Sequence, residues 1–129
     1  MAWPVAAVRA LDAAAIASGI PGLELMQRAG RAAFACLRRR WPGVRVVGIA
    51  CGPGNNGGDG YVVAREALAA GCEVVLLEVG DITKSGPDAR ECRRLALAAG
   101  VVPVRDASML ASAEVLVDAI FGIGLKAAP

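Results

Sequence analysis

Val44-Arg45-Val46-Val47-Gly48-Ile49-Ala50-Cys51-Gly52-Pro53-Gly54-Asn55-Asn56-Gly57-Gly58-Asp59-Gly60-Tyr61 is the stretch on which the fold turns. Residues 44–50 are an apolar run rich in valine and isoleucine, which reads as a buried strand. Residues 51–60 are half glycine with one proline, which reads as a loop. Residues 61–70 read as a helix. A glycine-rich turn between a strand and a helix lets the backbone come close to a ligand, because no Cβ stands in the way.

Downstream, the pattern alternates. Gly71 is placed to end the helix, and Glu73 to Val79 forms a second strand. Residues 80–87 are a polar connection, with Pro87 suited to a helix first turn. A helix from Asp88 to Ala99 stops at Gly100, and a short strand covers 101–104. Asp106 or Ser108 is a candidate cap for a short helix through Ser112. A fourth strand is Val115-Leu116-Val117-Asp118. Upstream, a helix over 23–40 carries the stripe Leu23, Met26, Gly30, Phe34 and Leu37 and ends at Trp41-Pro42-Gly43. A first helix is predicted over 8–17.

Strands that are apolar on both faces and alternate with helices predict an α/β fold with a mostly parallel, doubly wound sheet. Right-handed crossovers give the order 3-2-1-4, truncated after the fourth strand. The carboxyl ends of strands one and four then flank the switch point, where ligands bind in such sheets.

Composition narrows the function. With 56% hydrophobic but only 4% aromatic residues, the core must be built from Ala, Val, Leu and Ile. A net charge of +2 gives no pull toward nucleic acid or anionic lipid, and Arg38-Arg39-Arg40 reads as a solvated helix end. No segment is predicted to span a membrane, and the interrupted apolar start does not read as a secretory signal. The four cysteines are widely spaced, which fits reduced thiols in a cytoplasmic protein. Histidine is absent, so Ser-His and Cys-His catalysis within this chain is excluded. An acid or base must come from Asp, Glu, Lys, Tyr or Cys.

Gly52-Pro53-Gly54-Asn55-Asn56-Gly57 is a literal GxGxxG, and Glu78 ends the next strand as a dinucleotide fingerprint requires. Two residues argue against an ordinary dehydrogenase. Pro53 removes an N–H that would face a phosphate, and Asp59 places a carboxylate where a pyrophosphate needs positive potential. The segment is instead suited to present carboxamides, a carboxylate and backbone groups to a polar ligand or a hard cation. A plainer alternative has Asp59 capping the helix and the asparagines holding left-handed turn positions. Asp118 ends an apolar strand just before a second glycine-rich segment, which places it in a site; capping the following turn is its alternative role.

Asn55-Asn56-Gly57-Gly58-Asp59-Gly60-Tyr61-Val62-Val63-Ala64-Arg65 resembles the signature of the YjeF N-terminal domain family, the NAD(P)HX epimerases. Leu25-Met26-Gln27-Arg28-Ala29-Gly30 resembles the family's upstream helix motif, with Gln27 where Glu is usual. Val117-Asp118-Ala119-Ile120-Phe121-Gly122-Ile123-Gly124-Leu125 resembles its later strand–loop motif. The resemblance implies a Rossmann-like α/β/α sandwich, usually a homodimer. The implied activity interconverts (R)- and (S)-NADHX or NADPHX in nicotinamide nucleotide repair, beside a partner dehydratase. A non-catalytic nucleotide-binding or protein-interaction module of the same fold is the alternative. By position, Asn55, Asn56, Gly57, Gly58 and Asp59 would contact the hydrated nucleotide. Gly122, Ile123, Gly124, Leu125, Lys126, Ala127 and Ala128 would form a second substrate segment. Asn56 and Asp118 would ligate a potassium ion, and Asp118 would be the acid/base, with Asp59 the second candidate. The family domain is longer than residues 1–129 and continues with a further aspartate and serine of the site. On that reading the chain is the N-terminal portion of a single domain. Its fourth strand would be an unpaired apolar edge, and the segment alone is expected to be inactive or poorly folded.

Overall fold

The computed structural model describes residues 21–127. The helix expected over 8–17 and the site residue Ala128 lie outside the described residues.

Helix α1, Gly22–Arg40, buries one stripe, Leu25, Met26, Gly30, Ala33, Phe34 and Leu37. Its last turn is Arg38, Arg39 and Arg40, where cations suit the helix dipole. Arg38 lies over the Phe34 ring and Arg40 over Trp41. Strand β1 is Val46–Cys51, helix α2 Asn55–Ala69, and strand β2 Glu73–Glu78. A 3-10 turn over Ile82–Lys84 leads to helix α3, Pro87–Ala98. Strand β3, Pro103–Val104, is followed by a 3-10 segment, Ala107–Ser112. Asp106 caps that segment by accepting from Ser108 N at 3.0 Å. Strand β4 is Val115–Ala119 and β5 Gly124–Ala127. Gly71 and Gly100 end α2 and α3 with φ of 90° and 109°, a backbone that a side chain would strain.

The sheet order is β3-β2-β1-β4-β5, with the first four strands parallel. The predicted order 3-2-1-4 and the α/β class hold, and the sheet gains a strand. β5 pairs antiparallel with β4, from Val115 opposite Ala127 to Asp118 opposite Gly124. The expectation of a sheet stopping at an unpaired fourth strand is therefore corrected. Ile123 and Leu125 drive this return: both are buried in the core, while Lys126 is exposed. The inward–outward alternation of 123–126 is a strand period, hidden in the sequence by its two glycines.

Helix α2 packs on β1, β2 and β4 and is itself flanked by α1 and α3. It is buried nearly all round, with Tyr61, Val62, Val63, Ala64 and Ala67 in the core. On the opposite sheet face, Gly48 makes room for Ala113, Leu110 and Leu116. No helix among the described residues is long and apolar enough to cross a membrane.

Candidate functional site

Residues 55–60 are not loop. They are the first turns of α2, whose N-cap is Gly54. Glycine lowers helix propensity by about 1 kcal/mol per residue, so the sequence reads as a breaker. Packing overrides that preference, because each glycine is where another element passes too close for a side chain. A Cβ on Gly57 would overlap the carbonyl oxygen of Gly52. One on Gly58 would lie 2.8 Å from Met26 Cε and 3.0 Å from Ala89 Cα. One on Gly60 would lie 2.6 Å from Cys51 Sγ and 2.9 Å from Ala119 Cβ. The glycines thus draw α2 down onto the sheet and draw α1 and α3 in beside it.

The plainer alternative for these residues fails on both counts. Asp59 does not cap the helix, since it lies beyond the first turn and is 6% exposed. The asparagines hold no left-handed positions, because no non-glycine residue among those described has positive φ.

The consequence is a small pocket where three helices begin. It is walled by Gly22 and Met26 of α1, Asn55, Asn56 and Asp59 of α2, and Asp88 of α3. Its volume is about 150 Å³. Pockets that swallow a whole small ligand run to roughly 300–1,000 Å³, so this one takes a single group of a larger molecule. Sequence reasoning named Asn55, Asn56 and Asp59 but missed Asp88. A lone aspartate at the start of a helix carries no signal in the sequence beyond a favourable dipole.

Asp118 does not line this pocket. It pairs in register with Ala50 on β1 and with Gly124 on β5, at the carboxyl end of the sheet. Its Oδ1 accepts from Ile120 N at 3.1 Å, so it does cap its own turn, and it is exposed. The two regions meet through backbone. Gly52 N donates to Ala119 O at 3.1 Å, and a Cβ on Gly52 would meet Ile120 Cα at 3.1 Å. Gly122 and Gly124 are half-buried beside this turn, and Lys126 and Ala127 are exposed on β5. Ile123 and Leu125 point into the core, which leaves only their backbone to a ligand.

Glu78 has a different role from the ribose-reading acid of a dinucleotide fold. It is 5% exposed and accepts hydrogen bonds from the Tyr61 hydroxyl and from Arg93, Nε at 2.6 Å and a terminal nitrogen at 3.3 Å. Burial would raise its carboxyl, but the bonds from Arg93 and Tyr61 outweigh it and hold Glu78 below the usual carboxylate range. Burial first, and the bond to Glu78 second, push the Tyr61 phenol far up. The network ties α2, β2 and α3 together, the helices that carry Asp59 and Asp88.

The Cys51 and Cys92 thiols are not bases. Burial, reinforced by Glu78 and Asp59, pushes Cys51 well above its usual value, and burial pushes Cys92 up to about 11. Neither is a thiolate near neutral pH. All four cysteines are free. Among the described residues no group of three or more His, Cys, Asp or Glu could hold a metal ion.

A mostly parallel sheet with this glycine-built turn and a pocket at its carboxyl end defines a Rossmann-like α/β domain. Residues 22–129 match the family described as YjeF-related protein N-terminus, and the chain belongs to that family. It is 43% identical over 130 residues to the NAD(P)H-hydrate epimerase of Rhodobacter capsulatus, covering 92% of this chain and 60% of that protein. It is 39% identical over 121 residues to the bifunctional NAD(P)H-hydrate repair enzyme Nnr of Coxiella burnetii, covering 92% of this chain and 25% of that protein. The fold matches the crystal structure of yeast ynu0, YNL200c, with a TM-score of 0.74 at 23% identity, covering 92% of this chain and 55% of that one. The chain thus spans about 60% of the length of the Rhodobacter epimerase and a quarter of the Coxiella enzyme.

Proposed function

We propose that this domain, within its intact protein, is an epimerase that interconverts (R)- and (S)-NADHX or NADPHX. The observation that carries the reading is the pocket of Asn55, Asn56 and Asp59, joined through backbone to the turn that bears Asp118. The names of its relatives supply the substrate class.

The reaction suits these residues. The inverted carbon bears a hydroxyl and adjoins the ring nitrogen. With Asp118 as the acid/base, directly or through a bound water, a proton passes to that hydroxyl, the C–O bond breaks, and water leaves. The nitrogen lone pair forms an iminium. Water then adds to the opposite face and returns a proton to the carboxylate. Asp118 is suited by its exposure at the strand end, and Asn55, Asn56 and Asp59 hold the polar substrate. Gly57 and Gly58, with the 122–128 segment, complete the substrate contacts.

A potassium ion fits the donor chemistry. Asn56 offers a carboxamide oxygen and Asp118 a carboxylate oxygen, the hard ligands such an ion takes. These are the residues that would hold it, and bound there it would supply positive charge beside the substrate. The protein is proposed to act as a homodimer in the cytoplasm, with a dehydratase domain or protein consuming one epimer. The bifunctional name of the Coxiella relative supports that link.

The test is to supply the intact protein with an NADHX epimer mixture and follow equilibration by chromatography, with and without potassium. Faster equilibration that depends on potassium is expected. Binding without turnover would favour the non-catalytic module. Asp118→Asn is expected to lower turnover by at least about a hundredfold, the usual contribution of a general acid–base group. Full activity in that variant would remove Asp118 from the role.

A further inference from the structure

We infer that Tyr61 is a positioning residue for the reaction: its hydroxyl, held by Glu78, fixes where the glycine-built start of α2 rests on the sheet, and with it the substrate-holding Asn55 and Asn56. The inference rests on the function proposed above and adds a residue that supports that site without touching the substrate.

The start of α2 has few side chains to hold it in place. Gly57, Gly58 and Gly60 let the helix lie close to its neighbours but carry nothing that interlocks with them. The N-cap is Gly54, with no side-chain capping bond. Tyr61 follows the last of these glycines. It is 2% exposed, and its hydroxyl donates to the Glu78 carboxylate. Glu78 is a fixed point. It ends β2 in register with Cys51 of β1, and Arg93 of α3 holds it from a third element. The next residue, Val79, donates its N–H to Cys51 O at 2.9 Å. The Tyr61 bond therefore ties α2 to the strand ends from which the 52–54 turn departs.

Stability alone does not account for this arrangement. Taking a carboxylate and a guanidinium out of water offsets much of what their attraction contributes, and apolar side chains of similar volume often serve stability as well. Directed bonds add something that apolar packing does not, because hydrophobic contact has no preferred direction and a hydrogen bond to a charged acceptor does. A buried carboxylate bonded by both Tyr61 and Arg93 specifies one arrangement of the elements that carry them. Asn55 and Asn56 lie within two turns of Tyr61 on the same helix, so a shift at Tyr61 is carried to them. Asp118 stands on β4, away from this network. Loosening the start of α2 therefore weakens substrate binding more than the proton transfer.

The experiment compares wild-type protein with Tyr61→Phe, Glu78→Gln and the double variant, all as the intact polypeptide and well below their melting temperatures. Tyr61→Phe keeps the buried ring and removes only the hydroxyl. It is expected to raise KM for NADHX about tenfold with kcat within about threefold, the effect of losing one hydrogen bond to a charged group. The double variant should have a KM no higher than the worse single variant, because both changes break the same bond. Amide hydrogen exchange supplies a readout that needs no turnover: protection over 57–60 should fall about tenfold in Tyr61→Phe, with 63–67 unchanged. An unchanged KM with a lower apparent kcat, or a loss of protection that is equal over 57–60 and 63–67, would overturn the inference and leave Tyr61 with a role in stability alone. A KM effect that adds to that of Glu78→Gln would also overturn it, since Tyr61 would then not act through Glu78. If wild-type protein does not turn over NADHX, the epimerase reading fails, and the exchange comparison still decides whether Tyr61 holds the start of α2.

Discussion

Gly57→Ala is expected to abolish epimerisation in the intact protein and to cost the domain about 3 kcal/mol or more. The added Cβ would overlap the Gly52 carbonyl oxygen, and the Gly52 carbonyl carbon would lie 3.0 Å away. Both partners are backbone, so no rotamer relieves the clash. The turn cannot give way cheaply either. Gly57 N donates to Gly54 O at 3.1 Å, and Gly52 N donates to Ala119 O at 3.1 Å. Moving Gly52 would open the β1–β4 seam next to Asp118. Gly54→Ala is the control, since nothing lies within 4 Å of a Cβ there. Its melting point should change little, by an amount corresponding to about 0.5 kcal/mol. Thermal denaturation of both variants checks this. A Gly57→Ala protein that melts and turns over like wild type would disprove the close approach of α2 to the 52–54 turn.

Arg93→Met is expected to destabilise the domain by about 3 kcal/mol, a fall in melting temperature of roughly 10 °C. The variant strands the Glu78 carboxylate, whose side chain is 4% exposed, with Tyr61 as its remaining partner. The Arg93 side chain is itself 32% exposed, which places the loss at the lower end of the range for broken buried pairs. The pH dependence has a definite sign. In the wild type, Glu78 is held below the usual carboxylate range, mainly against its own burial and by the bonds from Arg93 and Tyr61. Its stabilisation is therefore fully present above about pH 4.3 and is lost as pH falls through the depressed value. In the variant, burial dominates and raises the same group. A protonated carboxyl needs no counter-ion, so the deficit should be largest near neutral pH and shrink on acidification. Melting curves across that interval test it; a gap constant with pH would mean that Glu78 is not the charged partner.

Much of this molecule was legible before any coordinates. Apolar runs separated by helical periods placed four strands and their order, because the side-chain period of a buried parallel strand differs from that of an amphipathic helix. The site segments at 55–59 and at 118 were visible as polar residues stranded among apolar ones. Three features were not visible. Helix α2 begins at Asn55 because tertiary contacts with Gly52, Met26 and Cys51 outweigh glycine's poor propensity. Strand β5 exists because Ile123 and Leu125 find the core, which no local pattern of glycines predicts. Glu78 reads as a ribose acid until Arg93 and Tyr61 are seen to hold it inside.

The division has a physical cause. Local chemistry along the chain decides which residues are apolar, which are chemically able, and where the backbone needs freedom. That was enough for the α/β class, the strand order and the family of this protein. Which atoms share a pocket depends on where separate helices come to rest. Only the packed structure set Asp88 beside Asp59 in one pocket and turned a run of glycines from a flexible loop into the first turns of a buried helix.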